Sequence, residues 1–598
     1  MDAHADKVRA DADAFVWKAQ SGDAGAPFEP EALAAFRVLK IQNVANWMRV
    51  RERLKKCCVS VTELDKRLHS GDGGGHDLDR SAADQLIVLA RRECRLVHDA
   101  RHEAYAVFEF GGARQVHSLS SQGFGEFLTH RYSKENGRAP PDSALVVAPT
   151  TLRGQCRFEG ELVEVFTRIG KSASGYWLDL CNEKWQCVLI TAHGWSLREG
   201  EGCPLFTRSR SMRPLPMPVG GGTMDALWSL VNIPVDDRVL VLVWLLECMR
   251  ADTPFPVLEL TGEQGSIKST TQKFLRRLID PNQADLRSAP RSVEDVWIAA
   301  HSSHMVSLEN LSHLSSDYQD ALCVLATGGA FATRTLYTNV EETVIELCKP
   351  IILNGINAVV TSQDLVDRCV HIDLPIVLKR LLAGDVNARF EGAWPELLGA
   401  LLDLFSEVLK TLPTVHIDPE RRPRMADFAY LGEALMKAQG EQDGAFVRLY
   451  DEKRKQGIHR TVDACAVGAA LMSHFERQPG WWRGTLSQLL ILIEPFQRRG
   501  DAWPKSPRAL GDVLRRVSPA LRQLGFKCEA ATKHGGVIFW EIASPQQSPE
   551  HPDQTVVEAD LRTRSGRAGH LGHPGHGDDT LVVPNDGGFI EDYDDEVF

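Results

Sequence analysis

The sequence predicts a multidomain α/β protein, on three observations. Residues 258–270, Leu-Glu-Leu-Thr-Gly-Glu-Gln-Gly-Ser-Ile-Lys-Ser-Thr, run from an apolar segment through a glycine-bearing loop into a helical pattern (Thr271, Phe274, Leu275, Leu278). Further apolar segments at 305–308, 350–353 and 369–374 alternate with helical stretches, as a parallel sheet covered on both faces requires. A chain of 598 residues, 43% hydrophobic and 25% charged, is ordinary globular material for three or more domains.

In chain order, residues 1–75 read as a helical segment with apolar positions at Phe36, Leu39, Ile41, Val44, Trp47 and Met48, ending in the glycine-rich break 70–75. Residues 76–213 form an α+β unit. A helix starts at 82, a strand at 104–110 follows it, and short strands lie at 163–166, 175–180 and 186–190. Residues 214–223 place three prolines (214, 216, 218) before three glycines (220–222) as a stiff, then flexible, linker. The α/β core occupies 224–376, with an apolar helix at 239–249 and a short helix at 362–368 before the last strand. Residues 377–478 are mostly helical and form a lid. Residues 479–543 read as helices followed by a hairpin. The Pro/Gly/His/Asp-rich stretch 544–598 is expected to be disordered.

Charge divides the chain unevenly. The net is −12, but residues 545–598 hold 12 Asp/Glu against 3 Arg, whereas 480–543 hold 10 Lys/Arg against 5 Asp/Glu. A basic module therefore precedes an acidic tail, and the overall sign does not exclude nucleic acid. No apolar run reaches 18 residues and the N-terminus is polar, so neither a membrane span nor a secretory leader is expected. The 13 cysteines are scattered without a Cys-x-x-Cys pair. That suits a reducing cytoplasm and speaks against a zinc site.

The chemistry concentrates in the loop Gly262, Glu263, Gln264, Gly265, Ser266, Ile267, Lys268, Ser269 and Thr270. Its glycines let backbone N–H groups turn onto a polyphosphate at a helix N-terminus. Lys268 is placed to reach the terminal phosphates of ATP, and Ser269 to ligate Mg²⁺. Ile267 stands where a glycine is usual before the lysine, and the loop is expected to need a negative φ there. Glu309, directly after the 305–308 strand, is the candidate second metal ligand; alternatively it is a strand-end carboxylate facing solvent. Asn310 occupies a position where a water-polarising acid often sits. Asn354 ends its strand and is placed to hold an attacking water, or simply forms an Asn-Gly turn. Arg368 would reach a neighbouring subunit's γ-phosphate in a ring, or pair within the chain to Asp364 or Asp367. Arg424 either folds back onto the phosphates or starts an ordinary basic helix. Arg334 and Tyr337 fall at the tip of an expected hairpin, where a cation and an aromatic suit sugar-phosphate contact and base stacking.

These residues, with Ala326-Thr-Gly-Gly329, Asn354-Gly-Ile356 and Asp364-Leu-Val-Asp-Arg368, resemble the AAA+ ATPase core, in its superfamily 3 and minichromosome-maintenance-like form. The fuller pattern resembles helicase or primase-helicase proteins of bacterial mobile elements and prophages. The resemblance covers about residues 90–540. It implies ATP and Mg²⁺ as cofactors, a hexameric ring and translocation on DNA; composition and spacing do not speak to oligomeric state. Glu309-Asn310 departs from the family's metal-binding pair, and Ile267 from its small residue. Two other functions stay open: an initiator using ATP as an assembly switch, and a DNA-binding assembly protein that does not hydrolyse it.

In the basic module, Ser506 caps a helix whose outward Arg508, Arg515 and Arg516, with Lys533 at a hairpin turn, resemble a winged helix on DNA. A solvated basic face is the alternative. The tail ends Glu591-Asp-Tyr-Asp-Asp-Glu-Val-Phe598, which resembles the partner-docking tip of single-stranded-DNA-binding proteins or serves as a solvating segment.

Overall fold

The strand that carries the glycine loop, β1 (Val257–Thr261), is buried along its whole length at the centre of a four-stranded parallel sheet. The computed structural model describes residues 2–69, 81–334, 342–378, 381–497, 503–531 and 538–545, all within one compact unit, Met1–Gln547. The break at 70–75, the hairpin tip with Tyr337, the turn with Lys533 and the acidic tail lie outside the described residues.

Around β1 the order is β2–β5–β1–β6, where β2 is Val306–Leu311, β5 Ile351–Gly355 and β6 Cys369–Asp373. Arg287 makes one further parallel bridge to Leu308, outside β2. The strand residues alternate between two cores, as period 2 demands. Leu258, Leu260, Ile352 and Ile372 face one core, built with α1 (Arg238–Glu247), α2 (Lys268–Ile279), α6 (Ala383–Thr411), α7 (Ala426–Ala438) and the start of α8 (Ala445–Ala464). Val257, Ile351, Leu353 and Cys369 face the other, against α3 (Val293–Ser302), α4 (Ser316–Thr327), α5 (Gln363–Val366), the far end of α8 and α9 (Ala466–Arg477). Between α4 and β5, β3 (Gly329–Arg334) pairs antiparallel with β4 (Glu342–Leu347), Arg334 opposite Glu342.

The C-terminal elements share that second core. β7 (Trp481–Thr485), α10 (Leu486–Ile493), α11 (Pro507–Gln523), β8 (Lys527–Ala530) and β9 (Phe539–Ala543) form two helices against a sheet of order β7–β9–β8. Leu489, Leu510, Leu514, Leu521 and Ile542 pack in one cluster with Leu308 and Leu353, so the module is built into the sheet's flank. The two helices expected near 506–524 are one: α11 runs through Pro519, with Ser506 Oγ accepting from Ala509 N (3.2 Å) as its cap. The hydrogen bond that proline removes there is offset by packing, since Ser518 before it and Ala520 and Leu521 beyond it are buried.

The N-terminal helices Asp2–Gln20, Pro30–Gln42, Val44–Lys56 and Val61–His69 close on Phe36, Trp47, Leu54 and Leu64. The helix beginning at Ala82 ends at Glu93, and Arg95–His98 is a strand that pairs antiparallel with Ala104–Phe110. Apolar spacing alone did not separate them. The turn between the strands is held by Asp99 Oδ1, which accepts from the N–H groups of Arg101 and Glu103 (both 2.9 Å). A four-stranded meander follows, Ile169–Ser172 to Gly194–Arg198.

The expected linker at 214–223 is a packed strap. Leu215 N donates to Leu180 O and Val219 N to Pro395 O (both 2.9 Å). Val219 O lies where a Cβ on Gly399 of α6 would sit, 1.8 Å away. Proline and glycine there serve close approach to a helix instead of flexibility. No helix among the described residues is long and apolar enough to cross a membrane.

Candidate nucleotide site

The loop leaves β1 at the carboxyl edge of the sheet, the edge at which open α/β sheets bind ligands. Gly262 adopts φ 151° and Gly265 φ 96°. A Cβ on Gly262 would lie 2.6 Å from Leu374 O and 2.7 Å from Ser266 Oγ, so only glycine fits. Buried Ser266 closes the turn, its N–H (3.2 Å) and Oγ (2.9 Å) both donating to Glu263 O. α2 starts at Lys268. Among the described residues, the N–H groups of Gln264, Gly265 and Ile267 and of the first helical turn, 268–270, have no intrachain acceptor. That is a concave set of donors at a helix N-terminus, suited to an anion. Glu263 and Gln264 are exposed on its rim.

Ile267 overturns the expectation of a negative φ: it sits at φ 54°, ψ 32°, the left-handed conformation that glycine tolerates and a β-branched residue resists. The loop geometry is held from elsewhere. Asn232 Nδ2 donates to Ser266 O (3.1 Å) and Pro375 O (2.5 Å), and Val377 N to Gly265 O (3.3 Å). Strain of about 1–2 kcal/mol at Ile267 exceeds the roughly 0.5–1 kcal/mol that an added glycine loses in chain entropy. Ile267→Gly is therefore expected to raise the midpoint of urea unfolding by a small amount. A lowered midpoint would mean that the half-buried side chain packs for more than its backbone costs.

Lys268 Nζ folds back on its own loop, donating to Gly262 O (2.6 Å), Glu263 O (3.0 Å) and Ser266 Oγ (3.4 Å). Lost hydration lowers its pKa from the ordinary value. The hydroxyls of Ser269 and Thr270 make no hydrogen bond among the described residues, and both side chains are half-buried.

Glu309 and Asn310 sit in a bulge where the pairing of β2 with β5 shifts between Leu308 and Leu311. Asn310 takes φ 54°, and its side chain is exposed. The Glu309 carboxylate is half-exposed and has no partner among the described residues. It lies two strands from β1, roughly 9–10 Å across the sheet, on the same edge as Ser269. Asn354, 1% exposed, is paired in register with Leu260. Its Oδ1 accepts from Asn310 N (2.8 Å) and its Nδ2 donates to Gln272 Oε1 (2.6 Å), leaving one amide hydrogen and one oxygen lone pair.

Gln272 and Asn232 escaped sequence reading. Gln272 is fully buried on α2, and its Nε2 reaches Ser307 Oγ (2.8 Å) and Leu308 O (3.0 Å). It thus ties the loop's helix, Asn354 and β2 together. A polar residue one turn before Leu275 and Ile279 on an inward stripe was the available signal.

Arg368 and Arg424 do not meet the loop within this chain. Arg368 O accepts from Val257 N at the opposite end of β1, roughly 16 Å from Gly262 at about 3.3 Å per residue. Arg368 Nη1 contacts Asp364 Oδ1 at 2.6 Å, and Arg424 Nη2 the same oxygen at 2.7 Å. Burial alone would raise the Asp364 carboxyl, but the hydrogen bonds from Arg368 and Cys323 and both guanidinium charges hold it below its ordinary value. For both arginines the intrachain pair to Asp364 is the contact formed. Gln523, at the end of α11, reaches Asp367 (3.2 Å), which also faces Arg424 (4.0 Å). Arg334 ends β3, and Arg508, Arg515 and Arg516 are exposed on α11, Arg515 pairing with Asp512 at 3.1 Å.

Residues 224–450 match the family model described as the actinomycete integrative conjugative element replication protein, and 467–555 match its C-terminal domain model. The chain is similar to replication proteins of mobile elements. The first model spans the whole parallel sheet; the second begins in α9 and takes in the helices and sheet that follow. No curated protein matches the chain. Among solved structures, the A form apo structure of the NrS-1 C-terminal region is 12% identical, covering 78% of this chain and 99% of its own, with a TM-score of 0.36. SCCmec type IV Cch, titled an active helicase, is 10% identical, covering 76% and 93%, with a TM-score of 0.39. Likeness at that level fixes neither activity nor mechanism.

Proposed function

We propose that this chain is a DNA-dependent ATPase, a helicase serving replication of a mobile genetic element. The observation that carries the reading is the donor-rich loop at the sheet's carboxyl edge, set beside an unpaired carboxylate, Glu309, and a buried amide, Asn354. The loop's free N–H groups and Lys268 would hold the phosphates of ATP. Mg²⁺, which neutralises charge developing on transferred phosphoryl oxygens, would be held by the Ser269 hydroxyl and Glu309, both uncommitted and on the same edge. The remaining amide hydrogen and lone pair of Asn354 would orient water. Gln272 would keep that amide in register, because it is tied to α2 and β2 at once. The parallel sheet with its loop acts as the nucleotide core, residues 377–478 as a lid, and the module around α11 as a winged-helix-like DNA contact through Arg508, Arg515 and Arg516. The replication-protein family match agrees with this assignment.

Turnover with and without single-stranded DNA, together with oligomeric mass in ATP, tests the reading. ATPase activity stimulated by DNA is the expected result. Tight ATP binding that changes mass without turnover would favour the assembly-switch reading, which has one observation on its side: Asn354 already spends half of its amide on Asn310 and Gln272.

If the Asp364-bound arginine pair serves a neighbouring subunit's loop, mixing inactive Arg368→Ala subunits with inactive Lys268→Ala subunits restores ATPase, since some interfaces then join an intact loop to an intact arginine. No recovery, with assembly intact, would leave the Arg368–Asp364 contact a structural ion pair.

A further inference from the structure

Three residues buried in the sheet, on the loop strand and its neighbour β6, have no part in the proposed nucleotide chemistry. Glu259 of β1 lies directly opposite His371 of β6, and Cys369 is two residues before His371 on the same strand and therefore the same face. Their exposures are 0%, 6% and 2%. One donor atom from each, a Glu259 carboxylate oxygen, Cys369 Sγ and a His371 ring nitrogen, all lie within 4.8 Å of one another.

Their hydrogen bonding is incomplete in a way that buried polar groups rarely are. Glu259 Oε1 is held by the N–H groups of Val359 (2.6 Å) and Val360 (3.1 Å). Among the described residues, Glu259 Oε2 and both ring nitrogens of His371 have no hydrogen-bond partner. Oε2 and Nδ1 are in close contact at 2.6 Å, the pair that would face a shared cation. The Tyr450 hydroxyl, also buried and unpartnered, is close enough to feel a charge on Cys369. A Cβ on Gly457 of α8 would meet His371 Cδ2 at 2.8 Å, so the helix seals the ring in place.

We propose that Glu259, Cys369 and His371 form a divalent-metal site, of the class zinc occupies, joining the loop strand to β6. Thiolate, imidazole and carboxylate are the zinc donor types, and three protein ligands leave a fourth position for water. One carboxylate and one thiolate neutralise a 2+ ion, so the occupied site carries no net buried charge. The two backbone donors on Oε1 orient the ligating carboxylate, as outer partners of metal ligands do. Paired Cys-x-x-Cys spacing is the sequence signature of structural zinc, and it is missing because these donors come from adjacent parallel strands. Binding would displace the Cys369 proton, so affinity falls as pH falls.

The test uses the full-length protein, stripped with a chelator and titrated with Co²⁺ and Zn²⁺. The expected result is about one tightly held metal per chain, with a thiolate-to-cobalt charge-transfer band and the d–d absorption of a four-coordinate ion. Cys369→Ser loses the band and that one equivalent, and His371→Gln weakens binding, whereas replacing the exposed Cys58 with serine changes neither. Wild-type protein that binds no metal or shows no thiolate band overturns the proposal, whether or not the variants fold. So does a folded Cys369→Ser protein that keeps the full complement.

Discussion

Lys268→Ala is expected to abolish ATP turnover and to weaken nucleotide binding by roughly 10- to 100-fold, the equivalent of one lost charge-assisted hydrogen bond at about 1.5–3 kcal/mol. Lys268 is the sole cation in the loop, and its ammonium now rests on the carbonyls of Gly262 and Glu263. Those carbonyls hold it within the ring of free N–H donors, so a short rotation exchanges loop oxygens for phosphate oxygens. Burial has already removed part of its hydration. Titration of a fluorescent ATP analogue reads the affinity, and circular dichroism checks the fold. A folded variant with wild-type affinity would show that the loop does not hold phosphates.

Glu309→Gln is expected to slow hydrolysis by at least ~100-fold, the scale for losing electrostatic stabilisation at a reacting centre, while ATP still binds. The substitution keeps size and one acceptor oxygen and removes the charge and the second oxygen that would hold the metal. Glu309 has no competing partner among the described residues and its neighbour is Asn310, so no second carboxylate in the bulge takes over. Steady-state turnover at saturating Mg²⁺ and ATP measures the effect. Wild-type rates would place the metal elsewhere, and lost nucleotide affinity would mean that Glu309 shapes the pocket instead of the chemistry.

Both substitutions probe residues that were legible before any tertiary information. The glycine loop, the apolar strands and the helix behind Lys268 show themselves through local periodicity and turn chemistry, which depend on neighbours a few residues apart. The α/β class follows from the same signals. Local reading failed where apolar spacing ran on across breaks, between Glu93 and Arg95 and again at the turn that Asp99 holds. It failed again at 214–223, where prolines and glycines spelled a linker and the chain instead laid them against α6.

By itself, the sequence determined which residue types stand at the ends of which strands, and so which chemistry is available: a lysine, a serine, an acid and an amide around one loop. Only the tertiary structure decided how those groups are committed. The left-handed backbone of Ile267 is imposed by Asn232 and the 375–377 segment, more than 30 residues away on one side and about 110 on the other. Arg368 and Arg424 share Asp364 because α5 and the segment before α7 come together in space. Glu259 faces His371 because β1 and β6 are neighbours in the sheet. Each of these partnerships spans tens to over a hundred residues. No periodicity encodes such a distance; strand order and packing do.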